Sequence, residues 1–157
     1  MKFKVAEDVE APLSWTWAGF TDFSAVEADI RARDADLERV DGWQVARPGA
    51  AWRGSVPVQG RAQPIEARIT TFAPEEAIVI ESRVGGMACT YEMTLAPLPD
   101  GMTRVSIVLE LRASTMSARL MLQTLKLARR RAMRRIEGAL VRQGQTVERA
   151  WAARSSG

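Results

Sequence analysis

Few residues in this 157-residue sequence are equipped for chemistry. Histidine is absent, and cysteine occurs once, as Cys89. A Ser-His-Asp or Cys-His relay is therefore impossible within one chain, and a zinc site lacks its usual ligands. No metal and no cofactor is expected. The one tyrosine, Tyr91, stands in the run Met87 to Leu95, where apolar and polar residues alternate. Such alternation marks a strand with one buried face, with Met87, Cys89, Tyr91, Met93 and Leu95 inward. An inward phenol can donate a proton or orient a carbonyl, which makes Tyr91 the candidate catalytic group. The same position equally suits a core residue whose hydroxyl reaches the rim. Cys89 reads as a small core hydrophobe, because no His or helix N-terminus is expected beside it to activate the thiol. Arg53, Arg68 and Arg83 fall on strands. Turned inward, a guanidinium there would hold a ligand carboxylate by two parallel hydrogen bonds; turned outward, it belongs to a solvated face. Glu81, Glu92 and Glu110 take outward positions and are expected to pair with these arginines across strands.

Charge is the second chemical feature. Residues 1–114 hold 12 basic and 17 acidic side chains, and residues 115–157 hold 10 basic and 2 acidic, so a body of −5 is followed by a segment of +8. Within that segment Arg130, Arg131, Arg134 and Arg135 form a patch one helical turn deep, flanked by Arg129. It suits phosphate or anionic lipid head groups, or is the solvated side of an outer helix. No aromatic residue is interleaved with it, so base stacking is unsupported and nucleic acid is not an expected partner. An anionic membrane and a second copy of the chain stay open as partners. Trp15 and Trp151 mark either a partner surface or a staple against the core.

These residues must be positioned by a small set of elements. From Thr115 to Ala153 the apolar residues recur in steps of three and four, giving one stripe of a helix with a basic opposite face. Gly138 and Gly144 are its weak points, and a bend is expected near one of them. Ahead of it, period-two patterns predict strands over 2–10, 50–58, 63–72, 77–84, 87–95 and 103–112, with a further short one over 37–40. Leu13 to Phe20 predicts a short helix, and Phe23, Val26 and Ile30 a second one capped at Thr21-Asp22. Gly85-Gly86 is a two-residue hairpin turn. Short turns make neighbouring strands antiparallel. The expected fold is α+β: a curved antiparallel sheet of about seven strands wrapped around the long C-terminal helix, as one domain over 1–154 with a loose tail at 155–157. No apolar run approaches the roughly 18 residues that cross a bilayer. The N-terminal residues show no signal-peptide pattern, and a lone cysteine fits a reducing compartment, so a cytoplasmic location is expected.

The stretch Val9-Glu10-Ala11-Pro12, then Trp17, then Phe20-Thr21-Asp22-Phe23 resembles the opening of START-like proteins. These are also known as the polyketide cyclase/dehydrase and lipid-transport (SRPBCC) superfamily, or helix-grip fold. The order strand, two short helices, six strands, long helix extends the resemblance over the whole chain. It implies a cavity between sheet and long helix that takes lipids, isoprenoids, polyketides or other apolar molecules. Trp52, Ile65, Ile69 and Ile80 would line it from one half of the sheet, and Met87, Cys89, Tyr91, Met93, Ile107 and Leu109 from the other. Met121, Leu125 and Met133 would close it from the helix. Methionines suit an adaptable apolar wall, though they also plug ordinary cores. The expected function is binding of a small hydrophobic ligand. The alternatives are a cyclase or dehydratase acting through Tyr91 with a cavity Arg or Glu, and an interaction module using the basic helix face. The sequence lacks the histidines and paired carboxylates that some enzymatic members use.

Overall fold

In a computed structural model, which describes residues 1–24, 27–28, 36–39, 49–58 and 60–155, each alternating run is a strand. The strands are β1 (Lys2–Val9), β2 (Asp36–Arg39), β3 (Ala51–Val58), β4 (Arg61–Ala73), β5 (Ala77–Val84), β6 (Met87–Leu98) and β7 (Met102–Ala113). They form one seven-stranded sheet in the order β1-β7-β6-β5-β4-β3-β2, and every neighbouring pair is antiparallel. Short turns explain the order: β3 to β7 follow one another as a meander, and β1 closes on the far edge of β7. The helices are α1 (Leu13–Phe20), α2 (Met116–Leu127) and α3 (Arg129–Ser155). The second short helix expected from Phe23, Val26 and Ile30 lies largely outside the described residues.

The register shows which side chains share a face. Phe3, Val5 and Val9 of β1 sit opposite Leu109, Ile107 and Thr103 of β7. Those continue through Tyr91, Met93 and Leu95 of β6 to Ile80 and Ile78 of β5 and on to Ile69 and Phe72 of β4. A bulge at Thr70, between Ile69 and Thr71, keeps Phe72 on this inner face. The core is densest where α1 and α3 cross it. Val9, Ile69, Ile78, Met93 and Val105 are at most 1% exposed there, and Trp17, Leu140 and Val147 cover them. Burying Leu140 and Val147 contributes about 2 kcal/mol each. Two buried hydroxyls secure the corner between β1 and α1: Thr103 donates to the Ala11 carbonyl at 2.8 Å and Thr16 to the same oxygen at 3.3 Å.

The terminal helical segment departs from expectation. It breaks at Ala128 (φ −102°, ψ 24°), ten residues before the first glycine, rather than bending at Gly138 or Gly144. The physical reason is packing. Gly144 is pressed against β1, where a Cβ would lie 3.3 Å from Val9 Cγ2, so its missing side chain serves a close helix-to-sheet approach. The chain changes direction at Ala128 because α2 lies on β7 and α3 on β1: α2 is tied at its start, where the Thr115 hydroxyl accepts from the Ala118 amide at 3.2 Å. The end of β7 is fixed in turn by Ser114, whose amide donates to the Gly86 carbonyl at 2.9 Å. A Cβ on Gly86 would fall 2.2 Å from Thr115 Oγ1, so the β5–β6 hairpin and the start of α2 touch only because residue 86 has none.

Candidate functional site

Along the inner face, burial falls off from one end of the sheet to the other. Near α1 and the middle of α3 the face is sealed. Toward the β5–β6 hairpin, Ile65, Ala67, Ile80, Val84, Met87, Cys89, Tyr91, Leu109 and Leu111 are only half-buried. Met121, Leu122 and Leu125 of α2 and Met133 and Ile136 of α3 are half-buried as well. The inner apolar wall is thus partly exposed toward the hairpin end and sealed at the other. The rest of the wall expected from the sequence is divided by this gradient. Trp52, Ile69, Met93 and Ile107 are packed in the core, whereas Ile65, Ile80, Met87, Cys89, Tyr91 and Leu109 meet at the open part. Trp52 is held by a hydrogen bond from its indole to Glu27 and by a ring contact with Phe23 at 5.5 Å.

Tyr91 brings a phenolic hydroxyl to that apolar wall. Its cross-strand neighbours are Ile80 and Leu109, and its hydroxyl has no hydrogen-bond partner among the described residues. Burial pushes its pKa up to about 12. The phenol is therefore neutral at any physiological pH and can donate or accept one hydrogen bond, but it cannot serve as a phenolate base. Cys89 sits one step along the same row, opposite Ser82 and Leu111. Desolvation pushes its thiol up, with the Ser82 hydrogen bond and the Arg112 charge opposing the shift. A raised pKa gives little thiolate, as expected of a wall residue.

The strand arginines go the other way. Arg53, Arg68, Arg83 and Arg112 stand on the outward rows with Glu66 and Glu81, bordering a shallow outer depression of about 340 Å³. Its charged sides suit no apolar ligand. The cross-strand pairing differs from expectation: Arg53 meets Glu66 at 3.6 Å, while Glu110 meets Lys2 at 3.6 Å and Arg112 at 3.5 Å. Register sets Arg53 directly opposite Glu66 and Lys2 directly opposite Glu110, while Arg112 reaches Glu110 from two residues along the same strand. The strongest outer pair joins Asp8 to Arg104 through two hydrogen bonds at 2.8 and 3.2 Å, which hold the Asp8 carboxyl below its usual range. No cavity arginine or carboxylate accompanies Tyr91 among the described residues, and none of them forms a cluster of three or more His, Cys, Asp or Glu side chains.

Arg130, Arg131, Arg134 and Arg135 are exposed on α3 without an ion-pair partner among the described residues. Arg129 is used structurally: it donates to the Lys2 carbonyl at 2.7 Å and lies over the Phe3 ring. Trp15 and Trp151 form a tilted pair at 5.4 Å with Arg154 over both rings, and the Trp15 indole donates to the Val147 carbonyl at 3.2 Å. They staple α1 to the end of α3. No helix among the described residues is long and apolar enough to cross a membrane.

No family model and no curated protein matches the sequence. Solved structures do match in shape. The TTHA0849 protein of Thermus thermophilus superposes with a TM-score of 0.64 at 17% identity, covering 96% of this chain and 99% of that one. The Zhui aromatase/cyclase of Streptomyces sp. R1128 gives 0.62 at 15% identity over 91% and 94%. A START superfamily protein of Mycobacterium smegmatis gives 0.54 at 16% identity over 88% and 98%. At such identities the likeness is one of fold. The architecture is the START-like helix-grip fold: one curved antiparallel sheet closed by a C-terminal helical segment.

Proposed function

We propose that this protein binds a small hydrophobic molecule, of the lipid, isoprenoid or polyketide class, in the cleft between the sheet and the α2–α3 segment. The observation that carries the reading is the half-buried apolar wall of Ile65, Ile80, Met87, Cys89, Tyr91 and Leu109, with the Tyr91 hydroxyl in its midst and no partner for it among the described residues. A wall left in contact with water lowers its free energy when an apolar body replaces that water, by about 25 cal/mol per Å². The Tyr91 hydroxyl supplies orientation, since a carbonyl or hydroxyl on the ligand satisfies it and an all-hydrocarbon ligand leaves it unmet. Ligand binding here needs no covalent step. An apolar fluorescent probe is expected to bind with low-micromolar affinity and to be displaced by fatty acids, isoprenoids or aromatic polyketides. Replacing Ile80 by Glu, which sets a carboxylate on the wall, abolishes that binding; an Ile80→Glu protein that stays folded and keeps full affinity would falsify the site.

A second reading, a cyclase or dehydratase, draws support from the likeness in fold to an aromatase/cyclase and from Tyr91 as a neutral donor. In that role Tyr91 would polarise a ligand carbonyl by hydrogen bonding and leave proton removal to the substrate's own groups or water. It is decided by turnover of an aromatic polyketide chain with wild-type and Tyr91→Phe protein: equal rates leave binding alone.

A further inference from the structure

Beyond the cleft, the least expected surface is α2. Met116, Leu120 and Leu127 are 70%, 57% and 92% exposed. Their spacing of four and seven residues sets them on one side of the helix, while Ala118, Met121, Leu122 and Leu125 occupy the side turned to the body. Exposing three large apolar side chains in a row has a cost unless something covers them. The surrounding charge identifies the cover. From Leu111 to Ile136 the chain carries eight cations, Arg112, Arg119, Lys126, Arg129, Arg130, Arg131, Arg134 and Arg135, and no acid. Three of them crowd the first turn of α3, the positive end of its dipole, where cations are disfavoured and a nearby anion relieves both charges. A second copy docking the same face would bring two such clusters together. A surface that is apolar in depth and anionic at its rim matches both features at once, and that surface is a bilayer containing acidic lipids.

We propose that α2 is a membrane-docking helix. Met116, Leu120 and Leu127 enter the acyl boundary of an anionic leaflet while Arg119, Lys126, Arg130, Arg131 and Arg134 engage the head groups. The placement fits a carrier. α2 starts where the β5–β6 hairpin meets Thr115, beside the open end of the inner wall, so docking sets the cleft mouth against the lipid. Transfer of cargo at that contact rests on the cleft reading; the docking itself does not.

Flotation with vesicles tests it. Wild-type protein is expected to float with phosphatidylcholine vesicles that contain phosphatidylglycerol, to stay behind with phosphatidylcholine alone, and to be released by high salt. Leu120→Asp with Leu127→Asp, and separately Arg130→Glu with Arg131→Glu, should each weaken binding at least about tenfold. All four positions are exposed, and the far-UV spectrum checks that the variants fold. Equal binding to both vesicle types overturns the proposal, as does full binding by the leucine variant. So does a wild-type dimer that the leucine substitutions split in light scattering without any vesicle binding, since a second copy would then be the cover. The apolar probe is measured on the same samples. Vesicle binding without probe binding removes the cargo reading and leaves the docking; probe binding without vesicle binding does the reverse.

Discussion

Tyr91 carries the most information of any single side chain. Its pKa lies near 12 in the fold against 10.0 in an unfolded chain, because the ionised form is poorly solvated where it sits. The folded state therefore keeps the proton over a range in which the unfolded chain has lost it. That contribution to stability is intact below pH about 10 and is lost as pH climbs toward 12, amounting to at most about 3 kcal/mol. Urea melts of wild type and Tyr91→Phe should run parallel below pH about 10 and diverge above it, wild type falling by up to about 3 kcal/mol that Tyr91→Phe does not lose; curves that stay parallel throughout would show that the phenol is solvated. Tyr91→Phe should also weaken ligands bearing a polar acceptor by about fivefold, one neutral hydrogen bond, and leave pure hydrocarbons unaffected. Two glycines show how much a single Cβ can decide. On Gly19 it would lie 2.7 Å from Val147 Cγ2, a branched and buried side chain that has nowhere to go, whereas on Gly138 it meets only the far end of the Arg142 side chain. Gly19→Ala should cost about 1–3 kcal/mol despite better helix propensity, and Gly138→Ala should gain about 0.5–1 kcal/mol; thermal melts give both signs.

At the scale of elements, the strands were the readable part of the sequence. Period two is imposed by the pleat itself, so the faces of β1, β3, β4, β5, β6 and β7 follow from which residues alternate, and the inward row Met87, Cys89, Tyr91, Met93, Leu95 is the row observed. α1 occupies the residues its pattern indicates, Leu13 to Phe20. The helical segment after β7 was harder. Its stripe continues through Ala128 without a fault, and alanine is the best helix former, so nothing local announces a break there. The break is tertiary: Thr115 and Gly86 fix where α2 starts, Val9 and Gly144 fix where α3 lies, and the two lines do not meet straight. Likewise Gly144, one of the two glycines expected to bend the helix, instead allows it to approach, a role set by Val9, more than a hundred positions away. The division of the inner wall into sealed and open parts was equally invisible, because alternation says that Met93 and Tyr91 share a face but not how close a helix comes to each.

For the molecule as a whole, charge and packing are laid out along one axis. At one end Trp15, Trp17, Leu140 and Val147 close the sheet, with the ring staple over them; at the other, β5 and β6 leave half-buried apolar side chains on the inner face and α2 exposes three outside. The composition disclosed the excess of cations in the terminal segment but not how they divide. Arg129 and Arg154 are spent on internal contacts, while Arg130, Arg131 and Arg135 have no ion-pair partner among the described residues. The interruption at Ala128 has a further effect on how the protein opens. Two helices that end separately need not unravel together, and α2 lacks the deep anchors of α3: Ala118 is its one fully buried side chain. Its amides should therefore exchange with deuterium well before those around Leu140 and Val147, through brief detachment of 116–127 alone, and added anionic vesicles should slow that exchange selectively. A rod of one piece would surrender its whole length or nothing; jointed at residue 128, it can lift one segment while the other keeps the sheet closed.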